Sequence, residues 1–392
     1  MSGMDHIRHL SRTIGPRGST TKQETQAAQY AARVLIDAGF NPTIEPFSSA
    51  RSAWYPYALF CALVLVGELL FWFAGGWGAT GALILTVFAL ISALLELAFR
   101  PNPLRWLLPK GLSQNTWVHI PPADEVRERV VLLGHLDSHR TPLVFSTERW
   151  LEVFGLLLPV ALICAVVLAV LFGIGTWAPA PALRWLSLPP ALVLLAVLGL
   201  TLQADLTPYT AGANDNASGA AIVLDLAVRL NAQLLAHTVV WVVLSGCEEV
   251  GCYGADAFAR GHKWELGRPA WIAVDSVGAR GASVAYLTQE TFLLTARSNP
   301  ELLEVAERVA TRHPELDAYA HHFKGAYTEG AIGAKHGFRV LTLVGHRQDG
   351  VLPEWHRPTD VMENVDPETV QRTKEFLWEL LQELDHEAAR LL

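Results

Sequence analysis

The sequence predicts an α/β fold with a mixed, mostly parallel sheet flanked by helices and interrupted by two transmembrane helical hairpins. Three observations carry this. Short apolar runs at residues 115–120, 130–134, 237–244, 270–274 and 338–344 alternate with helical patterns. Four longer apolar runs, at 54–73, 79–97, 153–174 and about 185–202, each approach the length that crosses a bilayer. The composition agrees, with 51% hydrophobic residues, 17% charged residues and a mean hydropathy of +0.26. That is too apolar for an ordinary soluble chain. The polar domain is expected over residues 1–50, 100–150 and 205–392, with hairpins at 51–99 and 151–204.

In chain order, Ala27, Ala31, Val34 and Leu35 recur at helical spacing, with Thr20 or Thr21 as cap and Gly39 as stop. Residues 41–47 alternate in part and read as a short edge strand. Gly75-Gly76-Trp77-Gly78 links the first two apolar runs. A soluble core helix keeps a polar face, and these runs do not. Trp54, Trp72, Trp77, Trp150, Trp177 and Trp185 stand near the run ends, as interfacial belts do. Pro189-Pro190 interrupts the start of the fourth run. Glu68 and Glu96 lie inside or at the ends of spans, where an acid calls for a partner.

Arg51, Arg100, Arg105, Lys110, Arg140 and Arg149 all fall at the hairpin bases, whereas the tips carry only Arg184. The positive-inside rule then places the polar domain in the cytoplasm, on a protein of the inner membrane with four spans. Residues 115–120 and 130–134 are strands joined by a polar turn, and 41–47 is expected to run parallel to 130–134. Both hairpins would then leave from the sheet edge that carries the chemistry. Further helices are expected at 220–230, 253–260, 302–311 and 367–384, with a loop at 350–360.

A net charge of −8 and a pI near 6.0 argue against a nucleic-acid partner. Residues 1–22 are polar and show no signal peptide. Cys61, Cys164, Cys247 and Cys252 do not form a disulfide framework and read as free thiols in a reducing compartment.

Polar groups gather at one repeated place, the C-terminal end of an apolar strand or the turn after it. They are His135 with Asp137, Asp215, Glu248 with Glu249, and Asp275. In open α/β sheets that edge binds ligands. Each motif alone has an ordinary explanation: a surface pair, a helix cap or a turn-forming Asp. Imidazole with several carboxylates suits zinc or a mixed metal set, whereas a calcium cage uses oxygen only. The donors are too many for one tetrahedral zinc with an open position, and two metals sharing one carboxylate would use them all. Glu248 and Glu249 are adjacent at a strand end and point apart, so one can hold metal while the other moves a proton.

The series His135-Leu136-Asp137, Asp215-Asn216-Ala217-Ser218-Gly219, Glu248-Glu249-x-Gly, Asp275 and His356-Arg357-Pro358-Thr359-Asp360 resembles the co-catalytic di-zinc aminopeptidase family. That family includes the bacterial leucyl aminopeptidases and glutamate carboxypeptidase relatives. Ile14-Gly15-Pro16-Arg17 is similar to its N-terminal signature. The resemblance implies a metallo-exopeptidase with two zinc ions. One zinc would take His135 and Asp275, the other Glu249 and His356, with Asp215 bridging. Glu248 would be the general base for a metal-activated water, and Asp137 would orient His135 from behind. The resemblance implies a peptide substrate; the four apolar runs imply the lipid bilayer as a partner, and hairpins leaving from the edge of the site imply that the peptide is hydrophobic or membrane-associated.

Two departures stand out. Trp355 occupies a position that is usually tyrosine in the family and often tryptophan in the related glutaminyl cyclases. Thr328-Glu329 replaces the usual Ser-Asp. A glutaminyl-cyclase-like acyltransferase is therefore one alternative. A non-enzymatic membrane protein on a peptidase fold is another, weakened by the complete ligand set. Cys247 is not expected to bind metal, and His321, His322 and His346 read as loop residues.

Overall fold

The computed structural model describes residues 2–390. It separates into two compact units, one of residues 1–51, 110–139 and 209–392, the other of 52–109 and 140–208.

Among the described residues the first unit is built on nine strands: β1 (Thr43–Ala50), β2 (Lys110–Ile120), β3 (Glu128–His135), β4 (Thr238–Ser245), β5 (Ala270–Asp275), β6 (Ser283–Thr291), β7 (Thr295–Arg297), β8 (Ala318–Lys324) and β9 (Arg339–His346). Their order is β1-β2-β4-β3-β5-β9-β6-β7, with β8 beside β6. The centre is parallel, because β4, β3, β5 and β9 run the same way. These strands are β-branched and apolar, and β4 is buried along its whole length, as expected of strands covered on both faces. Helices Lys22–Asp37, Ala217–Ala232 and Pro367–Arg390 contribute buried residues to the main core.

The sheet is mixed, as the sequence predicts; its central pairings and β6 with β8 are parallel, and the remaining pairings are antiparallel. β2 and β3 are consecutive in sequence but not neighbours, since β4 lies between them. β1 pairs antiparallel with β2, β2 antiparallel with β4, and β4 parallel with β3. Strand β1 therefore runs parallel to β3 at the sheet edge. Three strands went unread in the sequence: β6, β7 and β8. His321 and His322 sit on β8 and His346 ends β9, so none of the three is a loop residue. Pairing with the long strand β6 holds β8 extended despite its polar, histidine-rich face.

In the second unit, four helices are long and apolar enough to cross a membrane: Tyr55–Phe73, Gly75–Leu97, Glu148–Trp177 and Pro181–Leu206. The fourth begins earlier than the apolar run and continues through Pro189 and Pro190. Small residues line the buried face of the second helix, with Ala79, Ala82, Thr86, Ala89 and Ala93 at helical spacing. Such residues let helices approach closely where the surroundings are as apolar as the side chains. Ile84, Val87, Ile91 and Leu94 point outward and exposed. The acids do have partners. Glu68 accepts from Trp72 Nε1 at 2.7 Å and from the Ser187 hydroxyl at 2.6 Å, tying the first helix to the fourth. Glu96 pairs with Arg105 and accepts from Asn102 at 2.7 Å.

Candidate metal centre

All seven residues singled out in the sequence lie in the first unit, at the C-terminal edge of the parallel strands or in the loops beside it. His135 ends β3 and Asp275 ends β5. Glu248 and Glu249 follow β4. Asp215 precedes the helix Ala217–Ala232, and His356 comes from the loop after β9.

Local sequence explains why the loops converge. Asn216 caps the helix, its Oδ1 accepting from Gly219 N at 2.9 Å and from Ser276 N at 3.1 Å, while its Nδ2 donates to Val274 O at 2.8 Å. One side chain thus fastens the turn bearing Asp215 to the strand end bearing Asp275. The Ser218 hydroxyl donates to Asn214 O at 2.6 Å and accepts from Val277 N at 3.0 Å. Gly219 is needed for this approach, because a Cβ there would stand 2.3 Å from Val274 O. Asp360 accepts the backbone N–H groups of Asn214 at 2.6 Å and Asp215 at 3.1 Å, docking the loop of His356 on the same turn. Cys247, Cys252, Ser276 and His356 all adopt positive φ although none is glycine, a backbone cost that surrounding contacts must hold in place.

The donor atoms fall into two groups around Asp215. Its Oδ1 is 3.4 Å from His135 Nε2, which is 3.6 Å from Asp275 Oδ1. Its Oδ2 is 3.3 Å from His356 Nε2, which is 3.2 Å from Glu249 Oε2. Ligands at zinc–ligand distances on a tetrahedral ion stand about 3.3 Å apart. Glu249 Oε1 is buried without a hydrogen-bond partner among the described residues, which a bound cation would satisfy. The residues present therefore fit zinc.

The electrostatics agree. Burial pushes Glu248 well above the usual carboxylate range; His135 pulls it back, while Glu249 and Asp275 push it further. Burial and the Asp215 charge likewise raise Glu249. Burial alone would lower both histidines. For His135 the hydrogen bonds to Asp137, Asp215 and Asp275 outweigh it, and for His356 the Glu249 and Asp215 carboxylates lift the imidazole to about 9. So many acids crowded out of water leave a surplus of negative charge that cations would relieve.

Asp137 takes a wider role than orienting His135. The nearest partner of His135 Nδ1 is the Asp137 backbone carbonyl, at 3.1 Å, with the carboxylate at 3.5 Å. The carboxylate itself accepts from the Ser19 hydroxyl and from the backbone of the Glu pair. Cys247 donates its thiol to Glu24 at 3.3 Å. Cys252 donates to Glu248 Oε1 at 3.2 Å.

Two residues at this edge, Glu24 and His139, escaped the sequence reading, and a third, Glu329, was read only as part of the Thr328-Glu329 departure. Glu24 is buried beneath Cys247, and its position three residues after Thr21 was a capping-box signal. Glu329 is buried and accepts from Ser245 at 2.5 Å. His139, one residue past Asp137-Ser138, places a ligand atom within 4.8 Å of those of Glu249 and His356; its signal was a second histidine four residues after His135.

Peptidase family M28 matches residues 200–381. This part of the chain is similar to that family. The match spans Asp215, the Glu pair, Asp275 and His356. Solved structures of similar fold cover nearly the whole chain. A leucine aminopeptidase precursor from Bacteroides thetaiotaomicron aligns with a TM-score of 0.58 at 13% identity, over 97% of this chain and 96% of its own. A zinc aminopeptidase from Bacillus subtilis gives 0.56 at 13%, over 97% and 94%. A glutaminyl cyclase from Tannerella forsythia gives 0.55 at 16%, over 97% of both chains. At these identities the likeness shows the shared fold. No curated protein matches the chain. The M28 segment, on a zinc-exopeptidase-like sheet with a donor set suited to zinc, supports a zinc peptidase.

Proposed function

We propose that the chain is a membrane-anchored metallopeptidase of aminopeptidase type, with two zinc ions, that hydrolyses a hydrophobic or membrane-associated peptide. The observation that carries this is Asp215, whose two oxygens look toward separate histidine-carboxylate groups. His135 and Asp275 would hold one ion, Glu249 and His356 the other, and Asp215 both. Zinc, when bound, supplies an acidified water and polarises the scissile carbonyl. Glu248 takes the proton from the attacking water, then returns it to the leaving amine nitrogen as the C–N bond breaks. Its carboxylate, 4.0 Å from His135 Nε2, is close to the metal-binding atoms yet is not needed as a ligand. Asp137 fixes the backbone on which Glu248 stands.

The membrane part rests on the four apolar helices. The reading of a cytoplasmic catalytic unit at the inner membrane rests on the basic residues at the hairpin bases. The substrate reading rests on strand direction. β1 and β3 run parallel, so both strands end at the edge that carries His135.

Trp355 favours one second reading. It stands immediately before His356, with the ring centroids 5.1 Å apart, and glutaminyl cyclases share the fold. A cyclase would join an N-terminal glutamine to itself and release ammonia. Full-length protein purified in detergent with added zinc should be offered aminoacyl amides, peptides of graded apolarity and an N-terminal glutaminyl peptide. Release of N-terminal amino acids, abolished by a chelator, is the expected result. Ammonia release from the glutaminyl peptide alone would establish the cyclase, and no turnover of either kind would reject both.

A further inference from the structure

We propose that His139 is an additional protein ligand of the cation assigned above to Glu249 and His356. This rests on the zinc reading and deepens it.

His139 is held in place by its backbone. Its carbonyl accepts from Thr210 N at 2.8 Å. The preceding Ser138 accepts Arg17 N on its hydroxyl at 3.0 Å and donates to Thr210 O at 3.0 Å. The side chain is 7% exposed. Its ring stacks on His356, with centroids 3.6 Å apart and planes 16° from parallel. A ligand atom from His139 lies within 4.8 Å of those of Glu249 and His356. The unpartnered, buried Glu249 Oε1 belongs to the same cluster.

In the parallel stack the two lone pairs do not converge, since each lies in the plane of its own ring. For both to reach a single ion one ring must turn about its Cβ–Cγ bond, and that torsion is soft for histidine. With Asp215 the group then offers two imidazoles and two carboxylates, enough to close a tetrahedral zinc. The group of His135, Asp275 and Asp215 offers three donors and keeps an open position. The two metal sites are therefore unequal: one is saturated by protein and binds tightly, the other is open and binds more weakly beside Glu248.

The alternative role for His139 is a wall that orients His356 by stacking. Phenylalanine keeps the stack and removes the lone pair, whereas alanine removes both. The test is zinc affinity of full-length wild type, His139→Phe and His139→Ala, measured by competition with a chromophoric chelator. X-ray absorption at one zinc per chain would count imidazoles. Expected are two imidazoles on the first zinc in wild type, one in each variant, and a tight class weakened about tenfold or more in both variants. Wild-type affinity in His139→Phe, or one imidazole on the first zinc of wild type, overturns the assignment. The wild-type count decides even where a variant does not fold. Failure of wild type to bind zinc at all would instead reject the zinc reading on which this depends.

Discussion

The Asp137 carboxylate accepts the backbone N–H of Glu248 at 3.0 Å. Its second oxygen takes the N–H of Glu249 at 3.1 Å and the Ser19 hydroxyl at 2.6 Å. A residue just after β3 thus fixes the Glu pair that follows β4. An amide in its place offers one acceptor and turns an NH2 toward a backbone donor. Asp137→Asn should lower kcat by about 10- to 100-fold while zinc stays bound. Turnover and zinc content measured side by side check this; an unchanged kcat in Asp137→Ala would remove the role.

The roles proposed for Asp215 and Glu248 separate metal binding from proton transfer. Glu248→Gln should keep its zinc and lose turnover, because only the base is removed. Asp215→Asn should lose zinc from both groups if it bridges them as proposed, since its two oxygens face one histidine each. Metal analysis of the purified variants reads the difference. Full zinc in Asp215→Asn would refute the bridging role.

Zinc uptake should release protons. Metal-free His356 is held charged up to about 9 by Glu249 and Asp215, which outweigh its burial. A metal ligand must be the neutral imidazole. At pH 7 the proton on His356 therefore leaves as zinc enters, and affinity rises with pH until the imidazole is neutral. Calorimetric titration in two buffers of different protonation enthalpy should give different heats. Identical heats would show that no proton leaves.

Arg17 is wholly buried and donates to the carbonyls of Leu136 at 2.7 Å, Leu10 at 2.9 Å, Gly15 at 3.1 Å, Ala211 at 2.7 Å and Gly212 at 2.8 Å. It staples the N-terminal segment to the two loops that lead into the metal centre. Removing it strands several buried acceptors. Arg17→Met should cost about 3–5 kcal/mol of stability, and Arg17→Lys should recover little of it, because an ammonium cannot reproduce the fork. Thermal denaturation with and without zinc would measure both; a shift of less than a degree in Arg17→Met would show the staple to be dispensable.

Part of the candidate site was legible because His135 and Asp275 end strands, and Glu248 and Glu249 follow one, that are themselves easy to read. Val130–Leu133 and Val239–Leu244 are continuous apolar runs, so the polar residues after them stand out in the sequence. His139 carries no such marker: it lies in a loop, and its neighbours Ser138 and Arg140 give no periodicity. Only the fold brings it against His356, more than 200 residues away in the chain. Strands β6 to β8 escaped for another reason. Thr288-Gln289-Glu290-Thr291 and His321-His322 are polar where a strand should be apolar, because they serve each other. Gln289 reaches the His322 ring at 3.2 Å, and Glu290 is buried among Thr328 and Thr342. Pairing outweighed propensity there. Pro189-Pro190 misled in the opposite sense, since helix Pro181–Leu206 carries both within it, as membrane helices tolerate.

Orientation in the membrane can be tested at the Gly75–Gly78 tip. The positive-inside rule counts Lys and Arg near span ends and gives little weight to acids. Two of the basal arginines are engaged by carboxylates, Arg105 by Glu96 and Arg140 by Asp205 at 3.6 Å. Leaving both out of the count still sets Arg51, Arg100, Lys110 and Arg149 against the lone Arg184 of the tips. The bias therefore survives the ion pairs, and the catalytic unit should lie in the cytoplasm. A reporter that is active only outside the cytoplasm, inserted at the Gly75–Gly78 link, should be active. The same reporter placed after Arg390 should be silent. Reversal of the two signals would invert the topology and place Cys247 and Cys252 in an oxidising compartment.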